Sequence, residues 1–287
     1  MTHIEWLNKT IAMPEEPSAL LNEWCAKAAS DEGYAELKNK FFNGGNVHPE
    51  MAAFAEKHGI TCELSELAHA ELFTAHMQTI YAEKGWDMEV YLDSLKDITI
   101  WAKVCRRDYG IWGLKQFDWY SNQLRCQMFR LGRMQYHVIT YSGIDYSAGG
   151  MSVKSGDKVL NIHIPEGDSL TEEKRLDSYR RAYKFFGGKY NAFTCHTYLF
   201  YERHYEILPK TSNILGFMGD FKLFDFTEKE GDDNLWRIFD RRDSYDPKTL
   251  PRDTSLRRAY AEHLERNGMK VGGARGIMLF DGENIVR

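Results

Sequence analysis

The spacing of apolar residues changes once along this 287-residue chain, and that change constrains the fold more than any other feature. Up to about residue 110 apolar side chains recur every three or four positions. Leu20, Leu21, Trp24 and Ala28 form one stripe, and Tyr34, Leu37 and Phe41 another, which Gly44-Gly45 stops before His48-Pro49 opens the next helix. From Leu64 to Gly85 the stripe includes Leu67, Leu72, Met77 and Ile80, and a further helix is predicted from Met88 to Arg107. Such spacing gives each helix one buried face.

The texture shifts after Tyr109-Gly110. A helix carrying Trp112, Phe117, Trp119 and Leu124 leads into FRLGRMQYHVITY, where residues alternate from Arg133 onward. Arg133, Gln135 and His137 point one way and Met134, Tyr136 and Val138 the other, the period of a strand. After the turn-rich SGIDYSAGG comes KVLNIHIP, a second strand. It has Leu160, Ile162 and Ile164 on one face and Asn161 and His163 on the other, and Pro165 ends it. Ser169 and Glu172 fit a capping box for the next helix, whose stripe is Leu176, Tyr179, Tyr183 and Phe186. The remaining elements read as a strand in FTCHTYLF, a helix near Tyr201 to Leu208, and strands in FMGDFKLFDF and NLWRIF joined by GDDN. A helix from Thr254 to Asn267 and a strand in GIMLF follow. Helices first and mixed elements afterwards predict an α+β chain: a helical domain over 1–110, then a mixed-sheet domain flanked by helices over 111–287.

The formal net charge of -5 supplies no basic footprint for nucleic acid or an anionic membrane surface. MTHIEWLNKT lacks the basic and apolar runs of an export signal, and no apolar stretch is long enough to span a bilayer. Cys25, Cys62, Cys105, Cys126 and Cys195 are odd in number and scattered, without a CxxC pair. Neither a disulfide framework nor a metal site is expected, and a reducing cytoplasm is.

A strand that enters a helix N-terminus presents free amides and a favourable dipole to an anion such as a pyrophosphate. The loop here, Pro165-Glu166-Gly167-Asp168-Ser169, brings one glycine and two acids. A carboxylate about 6 Å from a phosphate at an effective dielectric near 20 repels it by roughly 3 kcal/mol. A helix terminus returns about 0.3–2 kcal/mol. Such a site therefore requires the acids to point away, or Lys174 and Arg175 to offset them, or the anion to lie elsewhere.

FRLGRMQYHV, LNIHIPEGDSL, TCHTYLF and LPKTSNILGF, in that order from Phe129 to Phe217, resemble a bacterial acyltransferase family. Its members join a helical N-terminal domain to a GNAT-like C-terminal domain. The resemblance continues more loosely into NLWRIF and RDTSLRRAYAEHL. It implies N-acyl transfer from acetyl-CoA, another acyl-CoA or a carrier thioester to a small-molecule amine by direct attack, without a metal. It also implies a donor site at Ile164, Gly167, Asp168, Ser169 and Leu170 with Lys174 and Arg175, and a thiolate-protonating tyrosine at Tyr201 or Tyr205. The family's usual loop is richer in glycine than this one.

On the residues themselves, His163 is the candidate base, with Glu166 the alternative, while Tyr205 as the candidate acid is what the resemblance implies. Arg133, Gln135, His137, Asn161 and Cys195 are candidate substrate contacts, the alternative being a solvated sheet face. Cys195 and His196 are adjacent on a strand and point to opposite faces, so they form no dyad; Cys195 with His163 would make a thiol hydrolase, and a buried inert thiol is the commoner arrangement. Glu66 and His69 match the ExxH of di-iron bundles without a second copy of the motif. A binding module that keeps the fold without transfer is the reading from another class, and the acidic loop favours it. The oligomeric state is not legible.

Overall fold

The computed structural model of the protein describes residues 1–231, 234–242 and 244–287. It divides into two compact units, Met1–Arg130 and Leu131–Arg287.

The first unit is helical: α1 (His3–Thr10), α2 (Glu15–Ala29), α3 (Tyr34–Phe42), α4 (His48–His58), α5 (Cys62–Lys84), α6 (Met88–Tyr109) and α7 (Phe117–Leu124). The two longest have the signals their sequence carries. The Thr61 side chain accepts the Leu64 N–H at the start of α5, and Gly85 closes it in the left-handed conformation. The Asp87 side chain accepts the Glu89 N–H at the start of α6, and Gly110 closes it. Phe41 stacks on Phe73 at 4.4 Å, tying α3 to α5 in the core.

After β1 (Met128–Leu131), the second unit contains β2 (Met134–Thr140), β3 (Tyr146–Ala148), β4 (Met151–Val153), β5 (Lys158–His163), α8 (Glu172–Phe185) and β6 (Ala192–Thr197). There follow α9 (His204–Ile207), α10 (Asn213–Gly219), β7 (Lys222–Glu230), α11 (Leu235–Phe239), α12 (Ser255–Asn267), β8 (Lys270–Phe280) and β9 (Ile285–Val286). The main sheet runs β2-β5-β6-β8-β7, with β9 beside β8, and β3 pairs β4 separately. Helices before a mixed sheet make the chain α+β.

Five local expectations need correction. NLWRIF is the helix α11, because Leu235, Ile238 and Phe239 are buried at helical spacing, a period that five residues state too briefly to distinguish from a strand. Asp232 and Asp233 of the expected GDDN turn lie outside the described residues. The start of FMGDFKLFDF belongs to α10, and its strand begins at Lys222. The helix expected from Tyr201 is only His204–Ile207, so Tyr201 and Tyr205 do not share a helical face. The cap of α8 is Thr171, whose side chain accepts the Lys174 N–H, and not Ser169. SGIDYSAGG, expected as turn, holds β3 and the closing Gly149 and Gly150, both at positive φ, of a hairpin whose second strand is Met151–Val153.

Candidate functional site

Antiparallel pairing of β2 with β5 sets Gln135 opposite His163 and His137 opposite Asn161. Parallel pairing of β5 with β6 sets Asn161 beside Thr194. Alternation along the strands then collects Gln135, His137, Asn161, His163 and Thr194 on one face. This is no solvated face: Gln135 and Thr194 are buried, and the other three are half-buried. Leu160, Ile162, Tyr136, Phe193 and Cys195 take the opposite face, where α8 packs. Tyr179 of α8 meets Phe193 edge-on, and the Tyr136 hydroxyl lies 2.9 Å from Ser178 Oγ.

The two histidines are stacked. Their rings lie 4.8 Å apart and parallel to within 1°. Nε2 of His163 is 2.9 Å from both Asn161 Nδ2 and His137 Nδ1. The Asn161 amide and the His137 ring thus converge on one nitrogen of His163. Burial, reinforced by His137, lowers the His163 pKa to about 3, and burial also lowers that of His137. The pair is therefore neutral at physiological pH and serves as a hydrogen-bonding wall rather than a cationic one. Sequence reasoning expects a histidine near its ordinary value; the second ring and the burial overturn that expectation.

Beyond the strand the loop is braced from two sides. Arg133 donates to the carbonyls of Pro165, at 2.8 Å, and Asp168. Arg175 donates to the Leu170 carbonyl at 2.7 Å and is ion-paired with Asp220 at 2.6 Å. Both Arg175 and Asp220 are buried, and Tyr179 donates to Asp220 as well. Lys174 pairs with Asp168 at 2.8 Å, offsetting one of the loop's two acids. Gly167 sits at φ 141°, where a side chain would be strained. Glu166, Asp168 and Ser169 are exposed, Ile164 is half-buried, and Leu170 is buried.

The ladder between β5 and β6 covers only Leu160–Phe193 and Asn161–Thr194, although β5 continues to His163 and β6 to Thr197. The two strands part at their C-terminal ends. There the sequence reading misses a residue. Tyr198 falls in a short 3-10 turn directly after β6, where FTCHTYLF reads as unbroken strand. It packs against a cluster that includes Tyr201, Leu235, Ile238 and Phe239. Burial raises its hydroxyl pKa to about 12, with the charges of Arg237, Asp240 and Glu166 acting on it.

Other candidates fall elsewhere. Cys195 is buried beneath α8, its thiol pKa pushed up by burial, on the face away from His163. Tyr201 donates to Glu228 at 2.6 Å, and Tyr205 is 56% exposed. In the first unit His69 bonds the Ser65 carbonyl at 2.8 Å, while Glu66 bonds His48 at 2.8 Å, so the ExxH pair serves separate contacts. Among the described residues no group of three or more His, Cys, Asp or Glu is placed to hold a metal ion, and no helix is long and apolar enough to cross a membrane.

Residues 128–278 match the GNAT-like C-terminal domain family, and residues 3–126 match the N-acyltransferase N-terminal domain family. A comparison with curated proteins finds no match. Among solved structures, an acyltransferase mutant in complex with octanoyl-CoA superposes with a TM-score of 0.75 at 20% identity, over 96% of this chain and 87% of that one. An acyltransferase in complex with decanoyl-CoA and teicoplanin gives 0.74 at 20% identity, over 95% and 86%.

Proposed function

Because the chain belongs to the acyltransferase family that joins an N-acyltransferase N-terminal domain to a GNAT-like C-terminal domain, we propose that it moves an acyl group from an acyl-CoA thioester to an amine on a small-molecule acceptor. The observation that carries this reading is the parting of β5 from β6 after two paired positions, directly above a braced loop at the start of α8. An extended thioester arm fits between strands that have separated, and the amides from Gly167 to Leu170 face an anion at its far end. Lys174, paired with Asp168, tempers the repulsion that the loop's acids would exert on that anion.

The amine attacks the thioester carbonyl, the C–N bond forms and the C–S bond breaks. Glu166 at the mouth takes the amine proton, directly or through water, and Tyr198, held protonated by burial, gives its proton to the departing thiolate. Neutral His163, His137 and Asn161 orient the reacting groups without adding charge. A pKa of about 3 suits His163 to this positioning role better than to that of a base. The octanoyl-CoA and decanoyl-CoA held by the neighbouring acyltransferases support donors that extend beyond acetyl to medium chains. The free thiols of all five cysteines support a cytoplasmic setting.

The test is calorimetric titration of the protein with acetyl-, octanoyl- and decanoyl-CoA, followed by thiol-release assays against a panel of amines. Heat with at least one donor and amine-dependent thiol release are expected. Absence of binding to every acyl-CoA removes the donor; binding without amine-dependent release leaves a binding module.

A further inference from the structure

Between β7 and β8 the chain inserts α11 and α12, and this insertion lies against the C-terminal end of β6, where β6 has left β5. Leu235, Ile238 and Phe239 of α11 join Tyr260 and Leu264 of α12 in the cluster that Tyr198 and Tyr201 contact. The short helix is pinned in place. Arg257 of α12 donates to the Ile238 carbonyl at 2.8 Å and pairs with Asp240, which ends α11. Its outward residues are Trp236 and Arg237. Two guanidinium groups lie over the Trp236 ring, Arg237 at 4.3 Å and Arg242 at 3.9 Å.

Arg237 is unusual in its company. Among the described residues its guanidinium has no hydrogen bond and no carboxylate partner; its contact is the indole face. It stays exposed, yet burial lowers its pKa, and its charge is felt by the Tyr198 hydroxyl. It lies on the indole face of Trp236, in the short helix whose apolar side packs with Tyr198. A guanidinium there keeps its N–H donors open, and a planar carboxylate or a phosphate would take them in pairs.

We infer that the α11–α12 insertion forms the acceptor side of the reaction site, with Arg237 recognising an anionic group, a carboxylate or phosphate, on a substrate. This rests on the transfer reading above, and it deepens it: the acceptor is an amine that also carries an anion. The same chemistry could come from a phosphate of the donor, which the experiment distinguishes. Arg237 binds and does not react; it holds the acceptor beside Tyr198 and Glu166.

Two measurements test this. First, Trp236 reports on the site without turnover. Wild type, Trp236→Phe and Arg237→Met are titrated with sodium acetate and sodium phosphate at constant ionic strength. A saturable fluorescence change is expected in wild type alone; wild type matching Arg237→Met overturns the site even if transfer succeeds. Second, thiol release from octanoyl-CoA is followed with carboxylate-bearing amines and their methyl esters. Arg237→Met is expected to raise KM for the acids by about tenfold. KM for the esters, the octanoyl-CoA Kd and kcat should stay within about twofold. A rise in the octanoyl-CoA Kd that octanoyl-pantetheine does not share assigns the anion to the donor and overturns the acceptor role. Saturable anion binding with no thiol release from any amine defeats the transfer reading and leaves the anion site standing.

Discussion

Cys195 and His163 stand on opposite faces of one sheet. The register that puts Asn161 beside Thr194 turns His163 to the polar face and Cys195 beneath α8, where burial raises its thiol pKa. A thiol mechanism pairing the two has no geometry to use. Cys195→Ala is expected to retain acyl transfer and to lose about 1–2 kcal/mol of stability in urea unfolding. Native alkylation should label the exposed Cys62 first and spare activity. Loss of turnover in step with Cys195 modification would return the thiol to the mechanism.

The stacked imidazoles set a pH signature. The ordinary histidine value is 6.5, and in the folded chain His163 sits at about 3, so the unfolded state holds the proton more tightly. The stabilisation from a neutral His163 is fully present above about 6.5 and is lost as pH falls towards 3. His163→Gln should therefore flatten the acid side of the stability curve, measured by urea unfolding at pH 7 and 4.5. It should also lower kcat by roughly tenfold or more while the far-ultraviolet dichroism is kept. A wild-type acid limb in kcat/KM near pH 6.5 that vanishes in this variant would make His163 the base after all.

Arg175 and Asp220 are a buried pair joined by Tyr179, and they hold the first turn of α8 to the residue after α10. Asp220→Asn leaves a guanidinium uncompensated in the interior and is expected to cost about 3–5 kcal/mol. Arg175→Met with Asp220→Leu should recover most of that loss. Equal stability of the single and double variants would mean that the pair's charge is not what matters.

The exposed Lys174–Asp168 pair bears on the proposed donor site. Asp168→Asn removes a negative charge and frees the ammonium, so acyl-CoA is expected to bind about two- to fivefold more tightly at low salt, with the gain fading at high salt. Calorimetry at two ionic strengths decides it. Weaker binding would show that Asp168 supports the loop more than it repels the ligand.

Much of this was readable in the sequence. Gly85 and Gly110 close long helices whose stripes announce them, and the alternation from Met134 to Val138 and from Leu160 to His163 gave both strands and their polar face. What stayed hidden depends on contacts between distant residues. His163 reads as an ordinary histidine until His137 is brought to 2.9 Å from across the ladder. Arg133 reads as part of a strand face until its guanidinium turns to the Pro165 carbonyl. Tyr198 is invisible because a strand that ends in a 3-10 turn looks, in FTCHTYLF, like a strand that continues. α11 is too short for its period to announce itself.

The two-position ladder between β5 and β6 has a last consequence. Alternate peptide groups of β5 face away from β2, and past Asn161 they meet no partner register on β6. The sheet thus carries an edge in its middle, bordered by strands on both sides. An exposed edge recruits other strands indiscriminately, whereas this one admits only something narrow. On the proposed reading the guest that completes it is a single extended chain with amide groups of its own, and selectivity for the shape of the donor's arm would reside in the backbone before any side chain is consulted.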